Sequence, residues 1–215
     1  MFTDRLDAAH QLAKKLDNYK DTDAVVLAIP RGGVPIGAVV ARDLHLPLEI
    51  LLAKKIGHPM NPEFAIGSVT LSGTVINPNL TGITEDYIVS ETKKIQASLK
   101  AKYQLFMGDT APLSLENKIV ILVDDGIATG STFQAGIASI KKHKPIKMVV
   151  AAPVASKDAV QLLKPLVDEI ICVAIPALFY GVGQFYTNFS QVTDQEVIST
   201  LAAFRKKETM TDEKG

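Results

Sequence analysis

Two adjacent carboxylates, Asp124 and Asp125, follow a short apolar run, Ile119–Val123, and precede Gly126 and a loop of small residues, Ala128, Thr129, Gly130, Ser131 and Thr132. Backbone N–H groups at a helix start, with hydroxyl side chains beside them, form an anion pocket. Two carboxylates immediately upstream repel that anion unless something lies between them. A polyol carrying a phosphate meets both demands: its hydroxyls donate to Asp124 and Asp125 while its phosphate rests on Ala128–Thr132. The plainer alternative is a buried strand ending in a solvated Asp-Gly turn. The loop is not a nucleotide P-loop, because Gly130 is followed by Ser131 where that motif needs a lysine.

The elements that position these groups follow from periodicity. Ile119–Val123 has the β-branched composition of a strand buried on both faces, and Phe133, Ile137 and Ile140 continue the loop as a helix. Ala24–Ile29 is another short strand, closed by Pro30, Arg31, Gly32 and Gly33 and followed by a helix over Val34–Leu44 with Pro35 in its first turn. A cation in a glycine loop after a parallel strand lies on the edge where open α/β sheets bind ligands. Arg31 is therefore a candidate anion contact, and Gly32 and Gly33 can present N–H groups. Leu48–Ala53 reads as the next strand, with Lys54 and Lys55 at its end either facing the same anion or forming a solvated pair.

Elsewhere, Thr3–Tyr19 is a packing helix with Thr3 as its cap. Ala65–Val69 and Thr74–Ile76 flank a hairpin turn at Ser72 and Gly73. A polar helix runs from a Thr84 cap to Met107. Strands at Ile146–Ala151 and Glu169–Ile175 enclose a helix over Ser156–Leu166, and a Thr193/Glu196 capping box opens a last helix to about Arg205. Such alternation predicts an α/β fold: an open, mainly parallel sheet with helices on both faces. It forms one domain over residues 1–205, with an insertion at 58–108, an aromatic segment at 176–192 and a disordered tail at 206–215. In the aromatic segment, Phe185 and Tyr186 either stack on a planar base or anchor a satellite core.

Composition narrows the classes of partner. Lys+Arg and Asp+Glu are both 23, and 47% of residues are apolar, so neither nucleic acid nor a membrane surface is indicated. Cys172 lies in an apolar run and reads as an inert core thiol. His58 has no second ligand at helical spacing, so zinc is unsupported. A chain with no signal-like start, no membrane-length apolar run and a single cysteine is expected to be cytoplasmic.

The segment Val120–Thr132 resembles the ribose-5-phosphate motif of type I phosphoribosyltransferases. The resemblance implies that Asp124 and Asp125 hold the ribose 2′- and 3′-hydroxyls of phosphoribosyl pyrophosphate. It implies that Gly126 and Ala128–Thr132 take the 5′-phosphate, and that Arg31 and Gly32 meet pyrophosphate with Lys54 or Lys55 as a second cation. The 58–108 insertion becomes a mobile flap, and 176–192 a hood that recognises the acceptor through residues such as Phe185 and Tyr186. Mg2+ is the implied cofactor, bridging substrate oxygens close to Asp124 and Asp125, mostly through water or substrate. Ala128 stands where hypoxanthine–guanine enzymes carry an aspartate, so the loop is more similar to adenine and uracil types. Over most of the chain there is also similarity to phosphoribosyltransferases of unassigned acceptor, carried by Pro30–Gly33, Lys54–Gly57 and Gly183–Tyr186.

The expected function is therefore transfer of phosphoribose from magnesium phosphoribosyl pyrophosphate to a nitrogenous base, releasing pyrophosphate. The expected partners are the sugar diphosphate and a base or nucleotide, with a homodimer left open. Two alternatives stand beside it: a regulator that binds phosphoribosyl pyrophosphate or a nucleotide without turnover on the same fold, and an unrelated phosphohydrolase or nucleotide-binding α/β protein that uses Asp124 and Asp125 for metal.

Overall fold

Apolar runs of strand length alternate with amphipathic segments along the chain, and the computed structural model, which describes residues 1–77 and 82–212, folds them as alternating strands and helices. In chain order these are α1 (Arg5–Lys15), β1 (Ala24–Ala28), α2 (Gly33–Leu44), β2 (Leu48–Ile50), β3 (Ala53–His58), β4 (Asn61–Thr70) and β5 (Gly73–Ile76). There follow α3 (Glu85–Met107), β6 (Ile119–Val123), α4 (Ser131–Ile140), β7 (Lys147–Val154), α5 (Lys157–Leu163), β8 (Glu169–Ala174) and α6 (Asp194–Asp212). The main sheet has the order β2-β1-β6-β7-β8, and every pair in it is parallel.

Successive side chains of a strand point to opposite faces, and here that alternation feeds two cores. Val26, Ala28, Ile121, Val123, Val149 and Ala151 pack on one side with Ala8, Ala9 and Leu12 of α1 and Ile36 and Val40 of α2. Val25, Leu27, Val120, Leu122, Met148 and Val150 pack on the other with Phe133, Ile137 and Ile140 of α4 and Leu163 of α5. None of these twelve strand residues is more than 4% exposed. The sheet is thus parallel and covered by helices on both faces, as the sequence predicts.

One strand departs from expectation. The run Leu48–Ala53 is not a single strand: β2 ends at Ile50, and Ala53 opens β3 in a separate antiparallel sheet of order β3-β4-β5. Leu51 and Leu52 are buried at the crossing, whereas Lys54 and Lys55 are exposed. Two lysines cannot extend a strand buried on both faces without stranding their charge, so the chain leaves the main sheet before reaching them.

Local signals account for most helix ends. The Thr84 hydroxyl accepts from Tyr87 N–H at the start of α3. At the start of α6, Glu196 N–H donates to Thr193 Oγ1 at 3.2 Å while Thr193 N–H donates to Glu196 Oε2 at 2.7 Å, a reciprocal capping box. The cap of α1 is Asp4 rather than Thr3, with Asp4 Oδ1 accepting from Asp7 N–H at 2.9 Å. The last helix continues to Asp212, past the end expected near Arg205; residues 213–215 of the expected tail lie outside the described residues. Among the described residues, no helix is long and apolar enough to cross a membrane.

Candidate functional site

Strands β1 and β6 are neighbours, with Ala28 opposite Val123, and Ile29 N–H donates to the Val123 carbonyl at 2.9 Å. The loops that follow them therefore leave the sheet side by side at its carboxyl edge. Their backbones touch. A Cβ at Gly32 would lie 2.0 Å from Asp125 Oδ2, and one at Gly33 would lie 2.7 Å from the Val123 carbonyl oxygen and 3.1 Å from Asp124 Oδ1. The two glycines are needed because the 31–33 backbone lies directly against the acidic pair.

The electrostatics of the pair are set by burial. Asp124 Oδ1 accepts from Asp125 N–H at 2.8 Å. Burial first, and then the charge of Asp125, hold the Asp124 carboxyl well above the ordinary aspartate range. Burial also raises Asp125, while Arg5 opposes the rise. Arg5 comes from the first turn of α1 and places Nε and Nη2 at 2.9 and 2.8 Å from Asp125 Oδ2. Its Nη1 donates to the Ser190 carbonyl at 2.7 Å, and its Cζ stands 4.0 Å over the Phe189 ring. Sequence reading missed Arg5 and treated α1 as packing only. No spacing rule could have found it, because the two partners are 120 positions apart.

The aromatic segment packs against the back of this site. Tyr186 is 5% exposed, its ring 5.3 Å from Phe2 and stacked 4.8 Å from Phe189. Its hydroxyl donates to the Asp125 carbonyl at 2.6 Å, and burial pushes its phenol pKa up. The ring thus buttresses the acidic loop rather than presenting a face to a base. Phe185 is half-buried against Phe179 at 5.3 Å. Phe2 N–H donates to the Phe185 carbonyl and Thr187 N–H to the Phe2 carbonyl, which stitches the chain start to this segment. A Cβ at Gly126 would meet Val182 Cγ1 at 2.4 Å, so the turn over Val182–Phe185 rests on the acidic loop. Tyr180, by contrast, is 87% exposed.

The hydroxyl loop is pinned from below and open above. Ile127 N–H donates to the Val154 carbonyl and Ser156 N–H to the Ile127 carbonyl, both at 2.9 Å; Ser156 Oγ donates to the Ala128 carbonyl at 2.6 Å. Gly130 has φ of +77°, a left-handed conformation that favours glycine, and it caps α4. Ala128, Thr129, Ser131 and Thr132 are exposed, and the hydroxyls of Thr129 and Ser131 are 3.1 Å apart. The first-turn N–H groups of α4 and these hydroxyls put a set of donors, the kind of group that attracts an anion, one short loop beyond the acidic pair.

The expected cations are placed less uniformly. Arg31 lies in the loop beside the acidic pair, with Nη1 3.5 Å from Asp194 Oδ1 of α6. Lys54 and Lys55 sit within β3, opposite Val69 and Ser68, rather than at the end of a main-sheet strand. Among the described residues, no group of three or more His, Cys, Asp or Glu forms a metal cluster. The acidic pair offers carboxylate oxygens, so a magnesium ion here would take its remaining oxygens from substrate and water, as that ion commonly does.

Comparison with known proteins places these features in a family. The model of the phosphoribosyl transferase domain matches residues 3–177. Two Mycobacterium tuberculosis proteins, from strains H37Rv and CDC 1551, are each named as a candidate phosphoribosyl transferase and are 37% identical over 205 residues. That match covers 94% of this chain but 46% of theirs, so the chain spans about half the length of these relatives. The crystal structure of TT1426 from Thermus thermophilus superposes with a TM-score of 0.86 at 35% identity, covering 94% of this chain and 98% of that one.

Proposed function

The chain belongs to the phosphoribosyl transferase domain family, and we propose that it transfers phosphoribose from magnesium phosphoribosyl pyrophosphate to a nitrogenous base, releasing pyrophosphate. The observation that carries this reading is the meeting of three groups at one sheet edge. Asp124 and Asp125 lie against the Gly32–Gly33 backbone, and the exposed hydroxyls of Thr129, Ser131 and Thr132 open α4 just beyond.

The ribose hydroxyls donate to Asp124 and Asp125, and the 5′-phosphate rests on Gly126 and Ala128–Thr132. Arg31, with Lys54 or Lys55, stabilises charge that grows on pyrophosphate as its bond to C1 breaks. Magnesium, held near Asp124 and Asp125 mostly through water or substrate, neutralises phosphate charge when bound. A ring nitrogen of the base forms the new bond to C1, and the nitrogen's proton is lost to solvent or to the departing pyrophosphate. No protein nucleophile is required, so alignment of base and sugar provides much of the rate enhancement. The hood next to Val182 and Tyr186 positions the base, and the 58–108 segment excludes water from C1. Ala128 favours an adenine- or uracil-type acceptor over hypoxanthine or guanine.

A regulator that binds the sugar phosphate without turnover is the second reading, favoured by one observation: Arg31, the leaving-group contact, is turned toward Asp194. Calorimetric binding of ribose 5-phosphate, paired with turnover, separates the two readings. The transferase keeps binding but loses turnover in Arg31→Ala. A regulator shows binding and no turnover in any variant. Full binding in the Asp124→Asn/Asp125→Asn double variant would contradict both.

A further inference from the structure

Asp125 is held from three sides. Two nitrogens of the Arg5 guanidinium converge on Oδ2, at 2.9 and 2.8 Å. The Asp125 carbonyl accepts from the buried Tyr186 hydroxyl at 2.6 Å, and the missing side chain of Gly32 leaves just enough room for the carboxylate. Arg5 is itself clamped, with the Phe189 ring at 4.0 Å on one face and the Ser190 carbonyl at 2.7 Å on Nη1. Its side chain is only 13% exposed. A guanidinium held this way has one orientation, and a planar fork fixes a carboxylate far better than a flexible ammonium does.

We propose that Arg5 is a positioning residue of the sugar-phosphate site, holding Asp125 through Oδ2 so that Oδ1 receives a ribose hydroxyl. The inference rests on the proposed function above and adds to it a residue from the start of the chain. Through Phe189 and Ser190 the same guanidinium ties the acidic pair to the hood, so the sugar-binding and base-binding halves share one strut. Arg5 touches no substrate in this arrangement. Its effect on binding is confined to the sugar hydroxyls and leaves the phosphate cradle at Thr129–Thr132 alone.

That confinement supplies the test. Affinities for ribose 5-phosphate and for inorganic phosphate are measured by calorimetry on the full chain, without added metal, and their ratio is compared among variants. Wild type prefers ribose 5-phosphate. Arg5→Met cuts that preference about tenfold, the scale of one misaligned hydrogen bond to a charged group, with phosphate affinity unchanged. Arg5→Lys, which keeps the charge but not the fork, restores only part of the preference and serves alone if the methionine variant does not fold. Asp7→Asn is the control. Asp7 Oδ2 accepts from Thr3 N–H and Oδ1 from Gln11 Nε2, so the variant loosens the start of α1 without touching Asp125 and keeps the wild-type ratio. Equal loss of both affinities in the Arg5 variants, or an unchanged ratio, would reduce Arg5 to a structural contact. A wild type with no preference for ribose 5-phosphate would overturn the proposed function itself, before any variant is compared.

Discussion

Asp124 bears the costliest charge in the site, because burial and the neighbouring Asp125 both raise its pKa. Between the ordinary aspartate value and the raised folded value, the folded chain binds more protons than the unfolded one. Stability then falls as pH rises through that window. Asp124→Asn removes the penalty, so the variant should melt a few degrees higher than wild type near neutral pH, with the gap closing toward acid. Turnover should be lost in the same variant, the usual opposition of stability and function at a charged site. Melting curves across the acid-to-neutral range check the stability part and a pyrophosphate-release assay the turnover part, and a variant that melts lower than wild type at neutral pH would contradict the burial argument. Gly32→Ala tests the close packing instead. Its Cβ would fall 2.0 Å from Asp125 Oδ2, pushing the carboxylate off Arg5. Turnover should drop by about 100-fold with far-UV circular dichroism unchanged. Much at this scale was legible in the sequence. Asp124, Asp125, Gly32 and the hydroxyl loop are contiguous runs with a chemical signature. Arg5 and the buttressing role of Tyr186 were not, since each depends on partners distant in the chain and on which side of a ring is covered.

Among the elements, α4 carries the proposed phosphate cradle, and its start depends on Gly130. Alanine at φ of +77° is strained by about 1–2 kcal/mol, so Gly130→Ala should lower stability by that amount in urea titrations. It should also weaken phosphate binding, because the first-turn N–H groups lose their aim. An alanine variant as stable as wild type would mean that the loop adopts another conformation. Helix starts at Thr84 and Thr193 were readable because capping is local chemistry, a hydroxyl or carboxylate a few residues from the N–H it satisfies. The break between β2 and β3 was not. The run Leu48–Ala53, apolar apart from Glu49, carries no mark between Ile50 and Ala53 of where one sheet ends and another begins, and that choice is made by the cores that bury Leu51 and Leu52. The same break moved Lys54 and Lys55 from the expected end of a main-sheet strand into the second sheet.

Across the whole molecule, the parallel sheet separates two cores, and the proposed ligand edge is where β1 and β6 release their loops between them. This architecture followed from the strand–helix rhythm, because strands that read as apolar throughout need cover on both faces. Cys172 belongs to the α4–α5 side, where burial pushes its thiol pKa up to about 11. The native chain should therefore react very slowly with iodoacetamide near neutral pH and quickly once unfolded; rapid native alkylation would show a thiolate the fold does not favour. The measurement that bears most directly on the central claim is pyrophosphate release from magnesium phosphoribosyl pyrophosphate, run against a panel of purine and pyrimidine bases. The Asp124→Asn/Asp125→Asn double variant runs alongside. Release that depends on one base, and that disappears in the double variant, is the expected result. Silence with every base, or release that survives in the double variant, would contradict a transferase built on that carboxylate pair.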